Sequence, residues 1–541
     1  MARLKLFFQR FPHLFHGLAY VATVSVFIGF AAQFYIPGKG FTYLVVFGGK
    51  ESSRYIPALR AIDHFEDQDS DGYDAQYYAQ IAMRPWLSNP KLRAAVDNLP
   101  YRARRILFSW TAYGLGGGDP ARALHIYAVQ NIFCWLALSV LLLRWFPANS
   151  WENFVRWFGV LFSFGLCFSV RASLVDGPSL LLIAIGVMLL EQGRLWWSAL
   201  LLGVAGLGKE TNLLAAVGLP WPKPTFHSWL MSIVRGLIVV IPLLLWMEVL
   251  WFWLGITGEA GLRNFDLPFA AYARKWAVTI GKLQSEGDAT LAQWTILMLV
   301  SISVQWLYFV LRPRWRDPWW RIGAAYALLM AVLGDAVWEG YPGAASRVLL
   351  PMTLAFNIAV PRGRTLFWWA VLLLGNLTVI FSHDTLKPPG RESFRVSGAT
   401  ELVASNSGTA VEVQFNNAEW HAPERSRLEY WRWSRGDATI ALRNPHDFPV
   451  VADITFDVKS NDDRIVTVRA GEVVLWSAAT SSTTRPGLLR NIILPPGTTP
   501  IKFETDQPAK RPENGDPRIM AFSLRNLKIK VLEKAESPPA R

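Results

Sequence analysis

Residues 229–254 read WLMSIVRGLIVVIPLLLWMEVLWFWL, and Arg235 and Glu248 are the charged side chains in that stretch. An apolar run this long exceeds the roughly 20 residues that cross a hydrocarbon core about 30 Å thick. The chain is therefore expected to enter a membrane.

Working outward, further apolar stretches fall at roughly 14–35, 122–143, 153–170, 178–191, 195–208, 211–221, 290–311, 318–336, 346–360 and 364–381, which predicts about eleven spans. The fourth to sixth are short and read as re-entrant or broken helices. After about residue 384 the pattern changes to alternating polar and apolar positions with frequent Asp, Asn, Gly and Pro. With 541 residues, 52% hydrophobic and 18% charged, the chain is too apolar for one soluble domain and too polar to be all membrane. The expected fold is a polytopic α-helical unit over residues 1–383, with a large outer loop at 36–121, followed by an all-β sandwich or jelly roll over 384–541.

Lys and Arg in short loops set the orientation. Arg3, Lys5 and Arg10 precede the first span, and Arg144, Arg194, Arg312, Arg314, Arg316, Arg362 and Arg364 share their side if spans alternate. That side is read as cytoplasmic, which puts the loop 36–121, the loop 256–289 and the β domain outside an inner membrane. The first span reads as an uncleaved signal anchor, since no small-x-small cleavage site follows it. Cys134 and Cys167 both lie in predicted spans, so no disulfide framework is expected in the exported domain. The net charge of +13 sits in the membrane unit, because residues from 384 onward carry 22 Lys and Arg against 20 Asp and Glu. Anionic lipid accounts for that excess, and nucleic acid is not needed as a partner.

The outer loop is far too long for a connector and is where function is expected. Its centre, DQDSDGYDAQYYAQIAMRP at 67–85, crowds acids, amides and tyrosines together. Asp67, Asp69, Asp71 and Gly72 match the opening half of a calcium loop, but position twelve is Tyr78 rather than a bidentate Glu. A looser Ca²⁺ or Mg²⁺ site is one reading, and a solvated acidic turn the other; no cofactor is required by the chemistry below. A helix beginning near Asp71 would put Asp74 in its first turn, either as a dipole-favouring acid or as a carboxylate able to take a proton from a sugar hydroxyl, with Gln76, Tyr77 and Tyr78 beside it. Downstream, YRARRIL supplies Arg102, Arg104 and Arg105, whose planar forks suit phosphate or lipid headgroups. Other costly charges fall at span ends on the same predicted side: Asp176, Lys209, Glu210, Asp335, Glu339 and Arg347.

The ordered set GYDAQYYAQIA, YRARRIL, VDGP, GKET and SRVLLP, on a multispan bundle with a large first outer loop, resembles the GT-C superfamily of integral-membrane glycosyltransferases over about residues 1 to 380. The resemblance implies transfer of a sugar from a polyprenyl-phosphate donor to an envelope glycan, lipid or protein acceptor, with inversion as the expected stereochemistry. It further implies Asp74 as general base with Asp71 second choice, Arg102, Arg105, Lys209 and Arg347 on the donor phosphate, and Gln76, Tyr77, Tyr78, Asp176, Glu210 and Glu339 around the substrates. The β-rich tail resembles sandwiches appended to such enzymes, where Trp420, Trp431 and Trp433 would be either core or sugar-stacking residues. A transporter or flippase for lipid-linked glycans, or a non-catalytic glycan-binding assembly protein, would also carry broken spans or a sugar-binding tail.

Overall fold

A computed structural model describes residues 12–36, 38–67, 70–256, 261, 264–283, 289–340, 342–363, 365–387, 411–425, 430–444, 448–512 and 516–534. Its internal contacts divide it into two units. One comprises Met1–Ala32, Ser53–Ile62 and Tyr73–Lys387; the other comprises Gln33–Ser52, Asp63–Gly72 and Pro388–Arg541.

The first unit is helical. Among the described residues four helices are long and apolar enough to cross a membrane: Phe15–Ala32, Pro120–Arg144, Phe226–Trp253 and Thr290–Leu311. Trp151–Leu161 and Phe164–Arg171, bent by 46° at their junction, make a fifth if taken together. This is fewer than the roughly eleven expected, and the reason is length. The other apolar stretches fold as Asp176–Glu191, Leu195–Gly206, Pro318–Val332, Leu350–Ala359 and Leu366–Leu374, of 16, 12, 15, 10 and 9 residues, with a 3₁₀ segment at Glu210–Gly218. At about 1.5 Å per residue, a 12-residue helix reaches only about 18 Å. Hydropathy registers an apolar run but not the breaks within it.

Some of those breaks are built by close approach. Gly165 brings the helix Phe164–Arg171 against the backbone of Ser346, where an added Cβ would lie 2.4 Å from the carbonyl oxygen. The outer-loop stretch folds into short helices at Ala75–Met83, Pro90–Ala95, Leu99–Ala103 and Leu107–Leu115. Asn89 and Asn98 cap the middle two by accepting from the backbone of Lys91 and Tyr101. Gly117 and Gly118, at φ +63° and +78°, then turn the chain into the helix Pro120–Leu141.

The second unit contains a two-residue parallel pairing of β1 (Phe47–Gly48) with β2 (Glu66–Asp67). Gly48 is obligatory there, because a Cβ would sit 2.2 Å from the backbone of Asp71 and Gly72. Ten further strands follow among the described residues. They are β3 (Glu412–Phe415), β4 (Glu424–Arg425), β5 (Tyr430–Trp433), β6 (Ala438–Asn444), β7 (Val450–Ser460), β8 (Arg464–Ala470), β9 (Val473–Thr480), β10 (Arg485–Leu494), β11 (Gly497–Thr505) and β12 (Phe522–Lys534). They form two five-stranded sheets, ordered β10-β7-β12-β5-β4 and β3-β6-β11-β8-β9, with antiparallel pairings. Alternate residues of both sheets, including Ile440, Ile501, Ile454 and Phe456, meet in one core, as a sandwich requires.

Trp420 belongs to that interior, whereas Trp433 is buried without being part of it. The Trp420 indole is 1% exposed, donates to the Thr439 carbonyl at 2.9 Å and packs edge-on to Phe415, Phe503 and Phe522. Trp431 instead lies beside the Arg525 guanidinium, 4.4 Å from its ring centre. Trp420→Ala should therefore cost about 3–5 kcal/mol. Hydrogen exchange of the β6 amides in the full chain should accelerate accordingly; unchanged protection would show that the indole is dispensable to the core.

Candidate functional site

Of the six charges that the sequence marks as costly at span ends, five converge on one cavity of about 690 Å³, while Asp335 pairs with Arg274 at 2.7 Å instead. Asp74, Tyr78, Arg105, Asp176, Lys209, Glu210, Glu339 and Arg347 all line it. Three backbone features bring them together. The helix Ala75–Met83, made of strong helix formers and stopped before Pro85, starts at Asp74. The helix pair at 195–218 is broken at 207–209, where the Leu207 carbonyl accepts from the backbone of Leu107 at 3.1 Å, so Arg105 and Glu210 become neighbours. The Gly165 contact seats the short helix Ala345–Val348, which carries Arg347.

Each cation in the site has a carboxylate partner. Asp176 is shared: its Oδ1 accepts from Lys209 Nζ at 2.5 Å and its Oδ2 from Arg347 at 3.2 Å. Arg347 also donates to the Tyr73 hydroxyl at 3.0 Å. Glu210 is paired with Arg105 at 2.9 Å and lies 3.5 Å from Arg104. Arg105 donates further to the Tyr101 hydroxyl at 2.7 Å and the Tyr78 hydroxyl at 3.3 Å. Arg102, behind the cavity wall, makes a two-pronged contact with Asp97 at 3.0 and 2.8 Å and donates to Asp74 Oδ1 at 2.9 Å. The rings of Tyr77, Tyr78 and Tyr101 surround its guanidinium at 5.1–5.4 Å.

Asp74 stands at the N-cap position, not inside the first turn, and its side chain caps nothing. Its carboxylate is 37% exposed, with Oδ1 taken by Arg102. Burial alone would raise its pKa, but the charges of Arg102, Arg347 and Arg105 outweigh that and hold it below the ordinary 3.8. Burial pushes the Tyr78 phenol up, so its hydroxyl stays protonated.

Five residues anticipated at the site do not line it, the first being Arg102, expected on the donor phosphate but committed to Asp97 and Asp74. Gln76 is buried, its amide oxygen accepting from the Tyr55 hydroxyl at 3.0 Å. Tyr77 contacts Arg102 rather than the cavity. Asp67 is in β2, and Asp71 is exposed, 3.8 Å from Lys50. Asp69 falls outside the described residues, among which no group of three His, Cys, Asp or Glu side chains is placed to hold a metal. Conversely Tyr73 and Tyr101 line the cavity without having been singled out, and Arg104, read with its neighbours as suited to phosphate but not assigned to the donor, lines it too. Arg104 had a signal, the dense basic run 102–105; the tyrosines had only their adjacency to charged neighbours. Much of the remaining wall is apolar, with Phe164, Phe168, Leu174, Val175, Leu333 and Val348, and Thr211 and Asn264 add polar groups. No family model matches the chain, and no curated protein matches it.

Two outcomes test this geometry. The Asp74 pairing stabilises the fold fully above the unfolded carboxyl pKa and loses that contribution as pH falls through the lower folded value. The Tm gap between wild type and Asp74→Asn should thus be constant from about pH 5 to 8 and close only below the ordinary carboxyl pKa; a gap that closes near pH 6 would contradict it. Gly165→Ala should lower stability by about 1–3 kcal/mol through overpacking, read as a lower Tm.

Proposed function

We propose that this cavity is the active site of a membrane glycosyltransferase of GT-C type. It takes a sugar from a polyprenyl-phosphate donor and passes it to an envelope glycan, lipid or protein acceptor on the outer face of the cytoplasmic membrane. The reading is carried by one observation: a partly open carboxylate, two groups of cations and an apolar wall line the same cavity. A lipid-linked phosphosugar needs all three, and few other ligands do.

In this reaction the acceptor hydroxyl oxygen attacks the anomeric carbon. The bond from that carbon to the phosphate oxygen breaks, and the phosphate departs with the electron pair on its lipid. The acceptor's proton passes to Asp74. Cations that meet the leaving phosphate stabilise charge where it develops. A double-displacement route would need a second free carboxylate as nucleophile. Asp176 is a poor candidate for that, with both oxygens committed to Lys209 and Arg347. We propose direct displacement with inversion, Asp74 serving as the base.

Asp74→Asn keeps the shape of the side chain and removes its basicity. Transfer from a polyprenyl-phosphate sugar by the purified variant should fall about 10²–10⁴-fold, the usual range for a lost general base. Wild-type transfer by the variant would remove Asp74 from the chemistry. A transporter would instead move labelled lipid-linked sugar across a vesicle membrane and form no glycosidic bond in either protein.

A further inference from the structure

A second cavity of the helical unit, of about 360 Å³, shares no lining residue with the first. Trp221, Trp315, Trp320, Ala324 and Ala325 line it, with Arg321 as its charged residue. Trp315 and Trp320 meet edge to face with 4.6 Å between ring centres, and Trp320 is held by donating to the Phe309 carbonyl at 3.1 Å. An apolar groove with one cation in it suits an amphiphile with an anionic end.

Arg321 is held in place without being neutralised. Its Nη2 donates to the Gly218 carbonyl at 2.6 Å and the Leu219 carbonyl at 3.2 Å, and its Nη1 to the Trp315 carbonyl at 3.1 Å. Carbonyls fix the planar fork but carry no net charge, so the positive charge stays in the groove. Asp317, one turn earlier, accepts from the Trp319 backbone at 2.9 Å and acts on Arg321 through space, without an ion pair among the described contacts. The Arg321 Nε–H is buried and meets no acceptor, and a second N–H on Nη1 is unused.

The cavity also sits where lipid head groups are expected. The helix Thr290–Leu311, long and apolar enough to cross a membrane, ends just before Arg312, and Trp315 lies in the turn that leads into Pro318–Val332. Tryptophan concentrates at that level of a bilayer. Residues 212–225 and 312–325 hold Lys223, Arg312, Arg314, Arg316 and Arg321 against Asp317 alone. Glu191, which accepts from the Trp319 indole at 2.9 Å, is itself paired with Arg144 at 3.0 Å. Such a field attracts a head group of net negative charge and repels the ammonium of a zwitterionic one.

We propose that this second cavity is a specific site for an anionic membrane phospholipid, whose phosphate meets Arg321 while an acyl chain lies along Trp221, Trp315 and the two alanines. The site exists only in the folded chain, because it joins the end of the 3₁₀ segment Glu210–Gly218 to the start of the helix Pro318–Val332. A bound lipid therefore stabilises the fold by mass action. The site is independent of the glycosyl-transfer reading.

The test uses the full chain in detergent micelles, titrated with dioleoylphosphatidylglycerol or dioleoylphosphatidylcholine and read by native mass spectrometry as lipids bound per chain. The first phosphatidylglycerol should bind about tenfold or more tightly than the first phosphatidylcholine, the discrimination expected of one charge-assisted contact, and should raise Tm. Arg321→Gln should erase that preference. Arg316→Gln, outside the cavity, should leave it within about twofold. Should Arg321→Gln misfold because the Gly218 and Leu219 carbonyls lose their donor, Ala324→Phe fills the groove with the guanidinium intact and should weaken phosphatidylglycerol about tenfold as well. Equal binding of the two lipids, or equal losses in R316Q and R321Q, overturns the proposal in favour of diffuse surface charge. Glycerol 1-phosphate that displaces the lipid at equal concentration would reveal a phosphate site with no role for the acyl chain, and overturns it too.

Discussion

Asp176 is the constraint on which the helical unit's site depends. Its side chain is 5% exposed, and an unpaired carboxylate so enclosed would be strongly destabilising. It is tolerated because Lys209 and Arg347 reach it from two other parts of the chain. Three segments distant in sequence must therefore meet: the start of the helix Asp176–Glu191, the break at 207–209 and the short helix Ala345–Val348. Breaking the pair by removing one partner costs typically 3–5 kcal/mol, because the remaining charge stays buried. The ion triad fixes where the cavity is before any ligand enters.

That meeting point explains why the apolar segments around it are short. Irregular backbone within a membrane protein is tolerated where it lines a cavity or is buried in protein. The bends after Leu161, between Arg171 and Asp176, at 207–209 and between Leu333 and Ala345 all contribute lining residues or their immediate neighbours. Continuous helices through these points would remove the bends that let Asp176, Lys209 and Arg347 converge on the cavity.

How much of this was legible in the sequence differs between the two units. Strands such as VVADITFDVKS alternate buried and less buried positions along almost their whole length, and period-two alternation is directly visible in sequence. β4, of two residues, was too short to carry a pattern. The helical unit was legible as apolar segments but not as a span count, since a bend of 46° leaves hydropathy unchanged. The site was legible through cost: Asp176, Lys209, Glu210 and Arg347 stand out because a charge in apolar sequence demands an explanation. Tyr73 and Tyr101 do not stand out, because aromatic residues are common in such segments. Gln76 and Tyr77 were misleading for a related reason. They flank Asp74 in sequence, but a helix sends neighbours about 100° apart, so Tyr78 reaches the cavity while Gln76 turns to Tyr55.

The depressed pKa of Asp74 bears on how such a group could act as a base. A carboxyl held below 3.8 by three arginines is ionised at neutral pH and binds protons weakly, a poor match to a deprotonating role. Two of those arginines, Arg347 and Arg105, line the cavity to which the proposed reaction would bring the donor phosphate. A phosphate placed beside either would cancel part of the field that Asp74 feels and move its pKa upward. The proposed base would then be more basic with the donor seated than in the empty cavity.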